Sequence, residues 1–241
     1  MKRTTSFAGR CVKELLRDPL NLFFCLAFPL VLLVMFSLFN IPADVYRVEN
    51  FAPGIVIFAY SFVSMFGGTL MAADRESSFF ARLAASPMSA KDFILGYAMP
   101  LLPLSVFQSA LFLAAAVILG LEPGWHLLSA LLVMIPAALF YIAFGLLLGA
   151  TLKQKQIGAL FSMFVTVSTW FSGMWFDLDL IGNWMEILGK CLPFWYAVDA
   201  GRAVLNGSTA GLVTDILMLL AWAVTLFILA AVFFKKRLRG K

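Results

Sequence analysis

Six stretches of this chain pass without Asp, Glu, Lys or Arg: 19–43, 50–73, 93–121, 123–152, 156–176 and 216–234. Each is rich in apolar residues and close to or beyond the length of about 20 that carries a helix across the hydrocarbon of a bilayer. The pattern predicts an all-α polytopic membrane protein with six transmembrane helices, over about 20–39, 51–73, 93–119, 127–150, 157–175 and 214–234. Ahead of the first, residues 6–18 follow a different rhythm. Phe7, Cys11, Val12, Leu15 and Leu16 share one helical face, and Arg10, Lys13, Glu14 and Arg17 the other. Such an amphipathic segment is expected to lie in the headgroup plane as an N-terminal interfacial helix. Pro19 then turns the chain into the first span.

The polar intervals are short, with two exceptions. After the second apolar stretch, residues about 75–85 keep helical character until Pro87 breaks it. The interval of about 177–207 is long yet rich in Trp, Leu, Ile and Phe, and Pro193 divides it. Its two halves, Ile181 to Leu188 and Phe194 to Leu205, are too short to span, so the expectation is a helical hairpin that re-enters or lies on the outer face. Trp175, Trp184, Trp195 and Tyr196 would then sit at headgroup level. Pro100 and Pro103 predict a kink in the third span, and Gly145 and Gly149 a close helix–helix approach in the fourth.

Composition narrows the architecture. Hydrophobic residues make up 62% of the 241 and charged residues 13%, against about 45–50% and 25% in ordinary soluble domains. Little is left for a soluble domain, so 1–241 reads as a single membrane domain. With the spans alternating from an inner N-terminus, fifteen of the 18 basic residues fall inside, and Arg47, Lys190 and Arg202 outside. The positive-inside rule thus places both termini in the cytoplasm, in a plasma membrane, expected to be a bacterial inner membrane. The basic ends are read as anchors against an anionic leaflet and not as a nucleic-acid surface. The first apolar run is too long for a signal peptide's core and lacks a small-residue cleavage site. Cys11, Cys25 and Cys191 scatter over three zones and predict neither a disulfide framework nor a metal site, and the lone His126 lies at an interface.

No Asp, Glu, Lys or Arg is expected at membrane depth, where a proton-coupled carrier would need one. The milder polar residues there, Gln108, Ser61, Ser64, Thr166, Ser168 and Thr169, are expected mostly to satisfy backbone or neighbouring helices. A phosphate-cradling GxxxxGK followed by Ser or Thr is missing; Gly189-Lys190-Cys191 lacks both the preceding Gly and the hydroxyl. Neither HExxH nor a nucleophile elbow occurs. The chain is therefore expected to be no enzyme and to hold no cofactor of its own, with energy supplied from elsewhere.

The order of parts resembles the membrane subunit of type-2 ABC transporters, in their exporter form. After span two, Glu76, Arg82, Leu83, Ser86, Pro87 and Ser89 follow that family's pattern, with Ser78-Phe79-Phe80 where Gly-Thr-Leu is usual. Ser172-Gly173-Met174-Trp175-Phe176 matches the start of the family's hairpin, with Asp177 where Pro is common. Leu192-Pro193-Phe194-Trp195-Tyr196-Ala197-Val198-Asp199-Ala200-Gly201-Arg202 with Asn206-Gly207 matches its end.

The resemblance implies a permease subunit that forms the substrate path as a dimer and is driven by separate ABC ATPase subunits, where ATP and Mg would bind. It implies that about 75–85 is a cytoplasmic coupling helix. Phe79, Phe80 and Leu83 would be anchors in the ATPase, and Arg75, Glu76 and Arg82 a polar rim ended by Pro87. The outer hairpin, marked by Gly173, Pro193, Tyr196, Asp199, Arg202 and Gly207, would cap or gate the exit. The second permease could be the same chain or a relative. Drugs, antibiotics, lipid-linked glycans and ions all remain open as cargo. The rival readings are a secondary carrier or channel working without an ATPase, and a membrane protein that only anchors a partner.

Overall fold

The computed structural model describes residues 2–39, 41–78, 80 and 88–239. These residues form helices joined by short turns, with no strand among them. The chain opens with α1 (Lys2–Leu16). Two residues, Arg17 and Asp18, separate it from Pro19, the first residue of α2 (Pro19–Leu22), where Asp18 caps the new helix by accepting from the Asn21 amide at 3.0 Å. A π-turn (Phe23–Ala27) joins α2 to α3 (Phe28–Leu38), so one apolar rod runs Pro19–Leu38. The long helices α4 (Val48–Glu76), α5 (Ala90–Ile118) and α6 (Trp125–Thr151) follow. Then come α7 (Gln154–Phe171), the short α8 (Asn183–Cys191) and α9 (Pro193–Leu205), and finally α10 (Leu212–Arg239).

Five of these segments are long and apolar enough to cross a membrane: Pro19–Leu38, Val48–Glu76, Ala90–Ile118, Trp125–Thr151 and Leu212–Leu238. The fifth expected span, α7, falls short of that measure. It has 18 residues and begins Gln154-Lys155-Gln156. Its ends nevertheless lie beside opposite ends of α4. The Gln154 amide donates to Glu76 Oε1 at 2.9 Å, and just past its other end the Trp175 carbonyl accepts from Tyr46 at 3.0 Å.

Helix α4 is the axis of the bundle, its apolar window 78% buried. It packs against α5, α6, α7 and α9. Contact with α6 is backbone to backbone. A Cβ on Gly145 would stand 2.0 Å from the Ser64 carbonyl oxygen, and one on Gly149 2.6 Å from that of Gly68. The small-residue spacing thus does what its sequence promises, with Gly68 as the partner on α4. Helix α10 in turn lies along α6. Helix α5 runs unbroken through Pro100 and Pro103, opened by a capping box between Ser89 and Asp92.

The polar residues at depth bond within the protein, and all of them but Thr166 are buried. Gln108 donates to the Cys25 carbonyl, in the π-turn where the regular ladder is broken. Thr166, Ser168 and Thr169 bond carbonyls of their own helix. Tyr60 pairs with Ser109 between α4 and α5.

Helix α1 departs from its expected role. Phe7, Cys11 and Leu15 are buried against protein, leaving Val12 and Leu16 exposed. Phe7 stands edge-on to Phe93 at 5.6 Å and to Tyr97 at 4.9 Å, in space left by Gly96, whose added Cβ would meet the ring at 2.5 Å. Most of the face assigned to headgroups therefore meets α5.

Candidate functional site

Two clusters stand at opposite ends of α4. The end carrying the chain's basic termini is built around Asp74-Arg75-Glu76, the last turn of α4. Asp74 is buried and accepts from both terminal nitrogens of Arg10, at 2.9 and 2.6 Å, and from the Tyr97 hydroxyl at 2.7 Å. Arg10 also meets Glu14 at 2.6 Å. The two carboxylates hold the Arg10 guanidinium well above its ordinary pKa despite partial burial, which pulls the other way. This fork fastens α1 to α4, and Tyr97 fastens α5 to both. The neighbouring Cys11 thiol is pushed up to about 12, chiefly by burial.

Arg75 turns inward. It donates to the Ala150 carbonyl at 2.6 Å and to that of Leu152, capping the end of α6. Glu76 accepts the Gln154 amide at the start of α7. Arg237 of α10 reaches the Thr151 carbonyl at 3.4 Å.

Several sequence expectations are corrected here. Arg75 and Glu76 do not begin a separate coupling helix; α4 continues through Glu76, and a bend and turn follow at Ser77 and Ser78. Both side chains also bond within the chain, Arg75 to carbonyls at the end of α6 and the exposed Glu76 to the Gln154 amide. Phe80, expected as an outward anchor, is 3% exposed and edge-on to the Phe234 ring at 6.0 Å. Phe79, Arg82, Leu83 and Pro87 lie outside the described residues.

The opposite end gathers every residue expected to mark the hairpin. Gly173 takes φ +72 and Gly207 φ +71, left-handed turns that suit glycine, just after α7 and α9. Pro193 opens α9 at its first position, where a missing amide proton costs nothing. Tyr196 donates to the Lys190 carbonyl at 2.7 Å, closing α8 against α9. Arg202 is the hub: its Nε donates to the Asn50 carbonyl and its Nη2 to that of Gly173, both at 2.9 Å. Burial lowers the Arg202 pKa, against the opposing pull of Asp177 and Asp199. Asn206 adds a bond to Asn50 at 2.8 Å.

Helix α9 is more deeply set than a surface hairpin would be. Its Ala197, Val198, Ala200 and Gly201 are buried, and it packs against α4, α6 and α10. Helix α8 leaves Trp184, Ile187 and Leu188 exposed.

Sequence reasoning missed Arg10 and Asp74, whose contact joins residues 64 apart. It also missed Asp215, buried in the first turn of α10 beside the Asp199 carboxyl. The two carboxyls bear on each other electrostatically. Asp199 titrates above the ordinary carboxylate range because it is buried, though Arg202 and Lys190 pull it down. No constellation that could hold a metal ion occurs among the described residues.

What the bundle presents among the described residues is two hydrogen-bonded plates joined by buried helices. No curated protein matches the chain. The family model of the ABC-2 type transporter matches residues 4–206, from α1 to the residue after α9. That match covers most of the 241 residues and accords with five apolar helices of membrane-crossing length, so the chain belongs to the ABC-2 type transporter family as a multi-pass membrane subunit.

Proposed function

We propose that this chain is the permease subunit of an ATP-driven exporter, paired with a second permease and powered by separate ABC ATPase subunits docked at its basic end, in the cytoplasm. One observation carries the reading. The segment between α4 and α5, the coupling element in the resemblance, leaves directly from Asp74-Arg75-Glu76. That turn is bonded to α1, α5, the end of α6 and the start of α7. A push delivered to the segment would reach all four at once. In this reading α7 is a sixth crossing, supported by its bonded ends at the two ends of α4, and both termini lie inside.

The first span and α7 supply the faces for the second permease. Only 17% of the Pro19–Leu38 window is buried. On α7, Gly158, Ser162 and Thr166 recur every fourth residue and are exposed beside Leu160 and Met163. The α8–α9 hairpin, pinned by Arg202, would cap the exit.

Reconstitution with and without the cognate ATPase tests the proposal. Export into liposomes should require both the ATPase and ATP. Phe79→Asp with Leu83→Asp should detach the ATPase in co-purification while the permease still inserts. Uphill transport by the chain alone would favour the secondary carrier.

A further inference from the structure

A groove of about 890 Å³ opens between α5 and α10 at the basic end of the bundle, and neither the clusters above nor the proposed coupling uses it. Its walls are Leu95, Ala98 and Leu102 from α5 and Ile228 and Val232 from α10, with Leu139 of α6 as the floor. Polar groups appear only at one mouth, where Lys91, Lys235 and Ser89 meet it. Both lysines are exposed, and neither has an ion-pair partner among the described residues. The nearest carboxylate in sequence, Asp92, is occupied by the Ser89 amide at 2.9 Å and hydroxyl at 2.7 Å. Further along α10, Lys236 lies over the Phe233 ring and Arg237 turns to Thr151, so neither supplies nor blocks the mouth.

We propose that this groove binds an anionic phospholipid, one acyl chain lying between α5 and α10 and the phosphate held by Lys91 and Lys235. Length selects the occupant. From Lys91 to Leu102 helix α5 rises about 16 Å, and from Phe227 to Lys235 helix α10 rises about 12 Å. That is one leaflet of a hydrocarbon layer about 30 Å thick. A helix of a neighbouring subunit would need a seam through both leaflets. A free anion would gain nothing from the apolar walls. An amphiphile with a negative head and a tail one leaflet long satisfies both parts, and the cations stand where its head must lie.

The probe is phosphatidylglycerol against phosphatidylcholine, offered in mixed micelles to the purified full chain and read by native mass spectrometry. The wild type should retain phosphatidylglycerol at roughly twenty-five-fold lower lipid concentration than phosphatidylcholine, since each of the two basic groups beside an anionic lipid contributes on the order of fivefold. Lys91→Gln with Lys235→Gln should abolish that preference, whereas Lys153→Gln with Lys155→Gln should leave it intact. Ala98→Trp, which fills the groove and spares both lysines, should lower retention of both lipids.

Equal retention of the two lipids by the wild type would overturn the assignment. So would an equal loss in the Lys153/Lys155 control, which would mean general surface charge. Competition by millimolar inorganic phosphate would reassign the mouth to free anions. Loss of a dimer in the Ala98→Trp variant, with lipid retention unchanged, would give the groove to a second copy.

Discussion

Removing the Asp74 carboxylate strands two donors at once, the Arg10 fork and the Tyr97 hydroxyl. Asp74→Ala should therefore cost about 3 kcal/mol, the scale for breaking a largely buried charged contact. It should lower the melting midpoint in detergent and free α1 for limited proteolysis. Arg10→Lys keeps the charge and loses the two-pronged geometry, so its effect should be smaller. The pair was invisible in sequence because each residue sits in a plausible polar context of its own. Only the fold shows that a residue of α1 closes on the end of α4. Asp199 gives a second, pH-dependent expectation. Its folded-state pKa is raised above the unfolded value by burial. The stability it contributes is thus complete at low pH and is lost as pH rises from the ordinary carboxylate value through the raised one. Asp199→Asn should flatten that part of the melting profile; an unchanged slope would mean that Asp199 does not titrate as its burial demands. The groups bearing on it are Asp215, Lys190 and Arg202, so the same series run in Arg202→Gln should show a steeper loss.

At the scale of elements, two glycines make a matched experiment. Gly145→Ala drives a Cβ into the Ser64 carbonyl and must part α4 from α6, an over-packing cost of at least about 1–3 kcal/mol. Gly158→Ala, on the exposed face of α7 with nothing within 4 Å, should stabilise by about 0.5–1 kcal/mol through helix propensity alone. Thermal melts of the two variants should move in opposite directions. Charge-free length located all five of the long apolar helices, and Gly145 with Gly149 announced the tight contact. Length misplaced the end of α7, since the uncharged run 156–176 includes residues beyond Phe171 that the turn at Gly173 takes out of the helix. The hairpin was legible as two short helices around Pro193. That α9 would be buried among α4, α6 and α10 was not, because its apolar residues suit a lipid surface and a protein interior equally.

At the scale of the molecule, the three cysteines report orientation. Cys191 is exposed near the Arg202 end, whereas Cys11 and Cys25 are buried, and burial holds the Cys11 thiol mostly protonated. A membrane-impermeant maleimide applied outside intact cells should label Cys191 alone, and Cys191→Ser should abolish the signal. Labelling only after the inner face is opened would invert the proposed topology. The asymmetric spread of lysine and arginine is what proposes this orientation; the two hydrogen-bonded plates were not legible in sequence, since their bonds join residues far apart along the chain. The glycine seam has a mechanical corollary. Helix α4, with 29 residues, is about 43 Å long. Braced by α6 through backbone contact at Gly68, Gly145 and Gly149, it is built to act as a stiffened lever. A tilt of about 5° imposed at Glu76 would swing Asn50, and the Arg202 anchor it carries, through roughly 3 Å. A stroke begun at one water boundary would thus be carried to the other by the helix itself.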